Sequence, residues 1–440
     1  IYEGLFLREL IKEIVFDYLE RVPESIIRRE YNVAEMLRNQ NFKRIVSIVG
    51  VRRVGKTYLL FQTLNDLSKE NAVYINFEDE RIPRDSRFLT ELIPTLIETF
   101  GDNRPFHLLL DEIHNMPKWS LWLRRVHDFG DARIVITGSS SKLLSREIAT
   151  ELRGRSYDIY LLPLSFREFL MFKDIKIEER ISSIKKAVLM RYLWEYLEYG
   201  GLPEVVLANR NRKIFILQDY FRTIVYRDIV ERHGVRDIRS VLSILKLLLN
   251  STIVSYSRVY NILRSRGERI GKEKVIDYMT YAEESLFAHL IPMYTQKVST
   301  QIVYPKKVYF ADNGFLRAIS TKYGKEKWRL LENLVFLELL RRIRDKPLAN
   351  IYYWRSDEYE VDFVIEELDK IKCAIQVAWS LEDYDVRKRE IKSLVRFMKK
   401  FGISRGIIIT YDEEETIREK EVKIRVIPIL KILLEKVEIC

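Results

Sequence analysis

Cysteine is scarce in this chain, with only Cys373 and Cys440 among 440 residues. Neither sits in a CxxC pair or a His/Cys cluster, so the sequence indicates neither a zinc site nor a disulfide framework. Long apolar runs are missing too. No uncharged stretch reaches the roughly 18 residues that a membrane-spanning helix needs, which excludes a membrane partner of that kind. The first residues, IYEGLFLRELIKEIVFDYLERV, are apolar but charged at helical spacing, and predict an amphipathic helix rather than a signal peptide. These absences together point to a cytoplasmic protein. Short repeats and low-complexity segments are also lacking, and glutamine is rare. Charge is abundant instead: 32% of residues are Asp, Glu, Lys or Arg, a composition that suits the ion-pair networks of a thermophile. The net charge of +11 and pI of about 9.3 favour a polyanion such as nucleic acid, provided the charge falls in a module able to bind it.

At about 100–200 residues per domain the length predicts two to four domains. Residues 1–40 read as a basic helical segment. From 41 to 165 apolar strands alternate with helices: RIVSIV, AVYINF, HLLLD, RIVITG and YDIYLL. Five strands with helical crossovers imply a parallel α/β sheet. Residues 166–235 read as a helical lid. Residues 236–318 hold three short helical segments and an extended stretch. From 319 to 440 a long helix precedes the strands IYYW, EVDFVIE, CAIQVA and GIIIT, a second α/β domain.

The run Gly50-Val51-Arg52-Arg53-Val54-Gly55-Lys56-Thr57 fits GxxxxGK[ST] between a β-branched strand and a helix, the context that identifies a P-loop. The glycines let backbone N–H groups curl around phosphate, and the helix N-terminus adds partial positive charge. The expected ligand is ATP with Mg²⁺: Lys56 reaches the β- and γ-phosphates, Thr57 ligates the metal, and Tyr58 completes the set of nucleotide contacts. The apolar strand HLLLD ends in Asp111-Glu112. Asp111 would hold Mg²⁺ through water and Glu112 would polarise the attacking water. After RIVITG comes Ser139, a candidate contact to the γ-phosphate or simply a cap for the next helix. Arg153 and Arg155 stand before the fifth strand, as fingers reaching a neighbouring subunit's nucleotide or as structural salt-bridge partners. His114, Trp119 and Trp122 form either a coupling loop or a packed aromatic edge.

GVRRVGKTYLL, LLLDEIHNMPKW, ITGSSSKLLS, LRGR and LPLSFREFL together resemble a widespread prokaryotic AAA-type ATPase family. YGGLPEVV, KVYFADNGFLRAI, ENLVFLELLRR, YYWRSDEYEVDFVI and GIIIT extend the likeness over residues 25 to 435. The resemblance implies an AAA-type P-loop core with a helical lid, a winged helix, and a C-terminal α/β domain of unknown function with a restriction-endonuclease-like, PD-(D/E)xK core. The leading reading of its function adds a homo-oligomer, ring or dimer.

Residues 236–315 fit a winged helix, with helix-turn-helix spacing around Gly267 and Lys272. Basic residues gather there: Arg258, Arg264, Arg266, Arg269, Lys272, Lys274, Lys297, Lys306 and Lys307. DNA is therefore an expected partner; the bland alternative is a protein-binding module with a solvated basic face. In the C-terminal domain Glu332 and Asp362 match the helix and strand acids of a metal-dependent nuclease. The third motif reads Gln376-Val377-Ala378 and lacks its lysine. Lys372, about 20 Å away along the strand, cannot replace it. Glu332 and Asp362 then form a vestigial metal site, or pair with Arg341, Arg342 or Arg355. The leading expectation is a DNA-associated ATPase with an inactive nuclease-like domain; a protein-binding switch and an active ATP-dependent nuclease are the alternatives.

Overall fold

The computed structural model describes residues 2–67, 71–139, 151–178, 182–295, 297, 301, 303–321, 327–344, 346–356, 358–419, 422–435 and 437, without the side chains of residues 2, 3 and 139. It divides into two compact units, Ile1–Leu161 and Leu162–Cys440.

In the first unit, helices α1 (Tyr2–Arg21) and α2 (Val33–Arg38) precede strand β1 (Ile45–Gly50). Then follow α3 (Lys56–Asp66), β2 (Ala72–Asn76), α4 (Ser86–Phe100), β3 (Phe106–Asp111), α5 (Trp119–Phe129), β4 (Ala132–Ser139) and β5 (Ser156–Tyr160). The strands form one sheet in the order β2-β3-β4-β1-β5, with every pairing parallel. Parallel strands are joined by crossovers that cover both faces of the sheet, which is why the inner strands are apolar throughout instead of alternating. All six residues of β1 are buried. The α/β class and the parallel core are as the strand pattern predicted. α1 is helical as expected and lies against α4 and β2. Tyr18 Oη donates to Asp79 at 3.0 Å, and Arg8 and Lys12 both reach Glu98.

The second unit opens with α6 (Phe166–Phe172), α7 (Ser183–Tyr199), α8 (Pro203–Leu207) and α9 (Arg210–Thr223). A capping box at Ser165 and Glu168 starts α6. Next come α10 (Ile238–Leu249), β6 (Ile253–Val254), α11 (Tyr256–Ser265), α12 (Lys272–Glu284), β7 (Ala288–Ile291) and β8 (Lys306–Phe310). β8 lies between β6 and β7, antiparallel to both. The two-residue β6 has no sequence signal of its own, because only pairing with β8 makes it a strand.

After α13 (Asn313–Ile319) and α14 (Lys327–Ile343) come β9 (Ala349–Arg355), β10 (Glu360–Glu367), β11 (Lys370–Val377), α15 (Tyr384–Phe401), β12 (Arg405–Thr410), β13 (Glu415–Glu419) and β14 (Val422–Pro428). They build a mixed six-stranded sheet, β13-β14-β12-β11-β10-β9, packed around Trp354, Leu394, Phe397 and Ile408. Cys373, buried in β11, is disulfide-bonded. The sequence indicated no disulfide framework, and this bond corrects that reading: two isolated cysteines carry no spacing signal, and only the fold brings a partner to Cys373.

Candidate functional site

The loop from β1 into α3 is shaped by two glycines. Gly55 adopts φ 99°, a left-handed conformation that a side chain would strain. A Cβ on Gly50 would sit 2.4 Å from the Leu161 carbonyl oxygen. Val51 and Val54 are buried and anchor the loop. Lys56 is buried too, and its Nζ curls back across the loop to donate to the Gly50 carbonyl at 2.9 Å. Arg53 is exposed with φ 70°, Arg52 is half-buried, and Tyr58 is exposed on α3.

The ends of β3 and β4 bring the acids to this loop. Thr57 Oγ1 donates to Asp111 Oδ2 at 2.7 Å, and Tyr74 Oη donates to the same oxygen at 3.0 Å. Thr137 Oγ1 donates to Asp111 Oδ1 and accepts from the Glu112 N–H at 3.2 Å. Burial pushes the Asp111 carboxyl up from its ordinary range, and the hydroxyl donors oppose the shift. Glu112 has φ 53°, strained for a side-chain-bearing residue and typical of a functional corner. Its Oε2 lies 3.4 Å from His114 Nδ1. Trp122 is part of the core, Trp119 only half-buried.

These residues suit a magnesium nucleotide. The Thr57 hydroxyl and Asp111 carboxylate are hard oxygen donors within hydrogen-bond distance of each other, the type Mg²⁺ prefers. The glycine loop and the start of α3 present N–H groups and an ammonium to phosphate oxygens.

Sequence reasoning missed Tyr74, Thr137, Arg29 and Gln62. The first two are polar residues inside apolar strands, and that interruption was the available signal. Buried Arg29 donates to the Val54 carbonyl at 2.9 Å. Gln62 on α3 holds the same segment, accepting from the Arg29 N–H and donating to the Tyr31 carbonyl. Nothing local in the sequence pairs residue 29 with residue 54. Ser139 ends β4 opposite Gly50; its side chain and the following residues 140–150 lie outside the described residues. Arg155 makes a bidentate pair with Asp128 at 2.8 and 2.9 Å, while Arg153 is exposed with φ 51°.

The second unit holds another acidic cluster. Glu332 on α14 and Asp362 on β10 meet, but none of Arg341, Arg342 and Arg355 neutralises them. The partner is Lys307 of β8, whose Nζ lies 2.9 Å from Glu332 Oε1, 2.6 Å from Asp362 Oδ1 and 2.9 Å from Glu360 Oε1. Arg341 and Arg342 reach Glu338, and Arg355 lies 3.9 Å from Glu360. The cluster opens on a cavity of about 740 Å³ lined also by Gln376, Ala378, Trp379 and Arg389. Lys307 is thereby removed from the expected DNA-facing set. Arg258, Arg264, Arg266, Arg269, Lys272, Lys274 and Lys297 are exposed, and Lys306 is half-buried over the Tyr256 ring. No helix among the described residues is long and apolar enough to cross a membrane.

Residues 42–170 match the family described as AAA domain. Residues 190–326 and 329–432 match two families described as domains of unknown function, DUF8612 and DUF4143. An uncharacterized protein of Methanocaldococcus jannaschii is 37% identical, over 96% of this chain and 94% of its own length. One of Haemophilus influenzae is 30% identical, over 82% of this chain and 88% of its own. Among solved structures, a Walker-type ATPase of Pyrococcus abyssi aligns with 67% of this chain and 96% of its own at 16% identity and a TM-score of 0.45. The chain belongs to the family of these Methanocaldococcus jannaschii and Haemophilus influenzae proteins, and its residues 42–170 carry the AAA domain of an AAA-type P-loop ATPase.

Proposed function

We propose that this protein hydrolyses Mg·ATP and uses its nucleotide state to control assembly and engagement of DNA. The observation that carries the reading is the 2.7 Å link from Thr57 to Asp111, made where Lys56 spans the loop and Glu112 turns out of the strand end. Bound Mg²⁺ would neutralise phosphate charge. The chain's own part is to hold it with Thr57 and Asp111, fix the phosphates with Lys56 and the loop N–H groups, and accept a proton from water at the Glu112 carboxylate.

DNA engagement is supported by the order of elements from Ile238 to Phe310, helix-strand-helix-helix-strand-strand, which is the order of a winged helix. It is supported also by the exposed arginines and lysines at the turn between α11 and α12, where helix-turn-helix modules meet the phosphate backbone. Stable assembly would let Arg153 or Arg155 act on a neighbour's nucleotide.

The test is ATP turnover with and without single- and double-stranded DNA, alongside the mass of the particle with and without ATP. We expect DNA to raise turnover and ATP to raise the mass. Turnover indifferent to DNA would favour the reading as a protein-binding switch, and no turnover in any state would end the ATPase reading.

A further inference from the structure

The lysine missing at position 378 has a counterpart that sequence spacing cannot reveal. Neighbouring strand residues point to opposite faces, so in β8 Lys306 lies over the Tyr256 ring while Lys307 turns inward. The ammonium of Lys307 carries three N–H donors, and three carboxylate oxygens, from Glu332, Glu360 and Asp362, stand within 2.9 Å of it. Lys307 donates hydrogen bonds to Glu332 and Asp362 and is ion-paired with Glu360, so its charge is turned onto the acids rather than towards a water or a scissile phosphate. The acids have further partners: Asp362 Oδ2 accepts the Val377 N–H at 2.8 Å, and Glu332 Oε1, already paired with Lys307, also accepts the Tyr309 hydroxyl at 2.6 Å. Gln376 accepts the Asp362 N–H and donates to Glu390 and the Glu360 carbonyl. Glu390 in turn is paired with Arg389. A divalent ion entering here would have to displace a tethered ammonium that is only 3% exposed.

We propose that Lys307 is a resident cation that takes the place of a divalent metal between Glu332 and Asp362, so that this pocket keeps its acids together without metal and does not cleave phosphodiesters. The same contact fastens the central strand of the three-stranded sheet to α14 and β10. The device is independent of the P-loop and does not rest on the ATPase reading.

The test is Mn²⁺ binding by electron paramagnetic resonance on the nucleotide-free full-length protein. Wild type and Asp362→Asn should bind the same number of ions, which subtracts any ion held at the P-loop. Lys307→Met keeps the length and apolar stem of the side chain but removes its charge. It should bind one further ion, at least tenfold more tightly than any Asp362-dependent binding in wild type, and lose it in the Lys307→Met/Asp362→Asn double variant. An Asp362-dependent ion in wild type overturns the proposal, as does a folded Lys307→Met that gains none. If Lys307→Met does not fold, the wild-type comparison decides alone: equal stoichiometry upholds the resident cation.

Discussion

At the scale of single residues, the candidate nucleotide site depends on side chains whose loss should give different signatures. Lys56→Ala removes a cation that would make charge-assisted hydrogen bonds to phosphate, each contributing about 1.5–3 kcal/mol, so ATP affinity should fall by at least tenfold in a calorimetric titration. Glu112→Gln should leave affinity nearly intact while stopping turnover, since its carboxylate is assigned to water rather than to the nucleotide. A Glu112→Gln protein that turns over normally would refute that role. Thr137→Val tests a residue that only the fold exposes. It leaves a buried carboxylate oxygen of Asp111 and the Glu112 N–H short of a partner, at about 1–3 kcal/mol. The first unit should melt lower and hydrolyse more slowly; a variant equal to wild type in both would mean the contact is idle.

At the scale of elements, two distant sequence phrases form one latch in the second unit. Asp312, ahead of α13, accepts the Gly201 N–H at 2.7 Å and the Gly314 N–H at 2.8 Å. Gly200 has φ +75°, and a Cβ there would lie 1.7 Å from Asp312 Oδ1. Gly200→Ala therefore combines a left-handed backbone with a clash, and should destabilise the second unit by more than about 2 kcal/mol, read as a lowered melting temperature. Acid should act on the same unit. Burial pulls the His289 and His233 imidazoles down to about 4, below the unfolded value of about 6.5. A depressed folded-state pKa means that the unfolded chain binds the proton first. The histidines' contribution to stability is then complete above about pH 6.5 and is lost as pH falls towards 4. His289→Leu should lessen that loss by about 1–3 kcal/mol; melting curves for the two proteins that fall in parallel over this range would contradict it.

At the scale of the whole molecule, assembly and DNA engagement make separable predictions. Arg155 is committed to Asp128 within its own chain, so a role at a neighbour's nucleotide requires exchange of that partner on assembly. Arg155→Ala should then lower turnover only in the oligomer, and mixing it with Lys56→Ala subunits should restore turnover by facing intact sites with intact arginines. No recovery in mixtures that demonstrably exchange subunits would leave Arg155 a structural ion pair. Reversing the charge of Arg264, Arg269 and Lys272 should weaken DNA binding and flatten its salt dependence by about 0.9 in log–log slope per lost phosphate contact. An unchanged slope in a folded variant would point to a protein partner instead.

The sequence by itself determined what depends on neighbours along the chain. The alternation of apolar strands and helices gave the five-stranded parallel core, because local periodicity reports which faces are buried. The spacing Gly50–Thr57 and the pair Asp111-Glu112 were legible because a phosphate-cradling loop and a strand-end acid are contiguous devices. What required contact between distant segments was left to the tertiary structure. Thr137 and Tyr74 meet Asp111 only because β2, β3 and β4 lie side by side. Arg29 reaches Val54, and Asp312 reaches Gly201, across sequence gaps that carry no periodic signal. Lys307 looked like one more basic residue beside a helix-turn-helix. The pairing of β8 between β6 and β7 turned it inward instead, onto Glu332 and Asp362, because a strand residue's face is set by register and carboxylates buried side by side are stabilised by a cation between them.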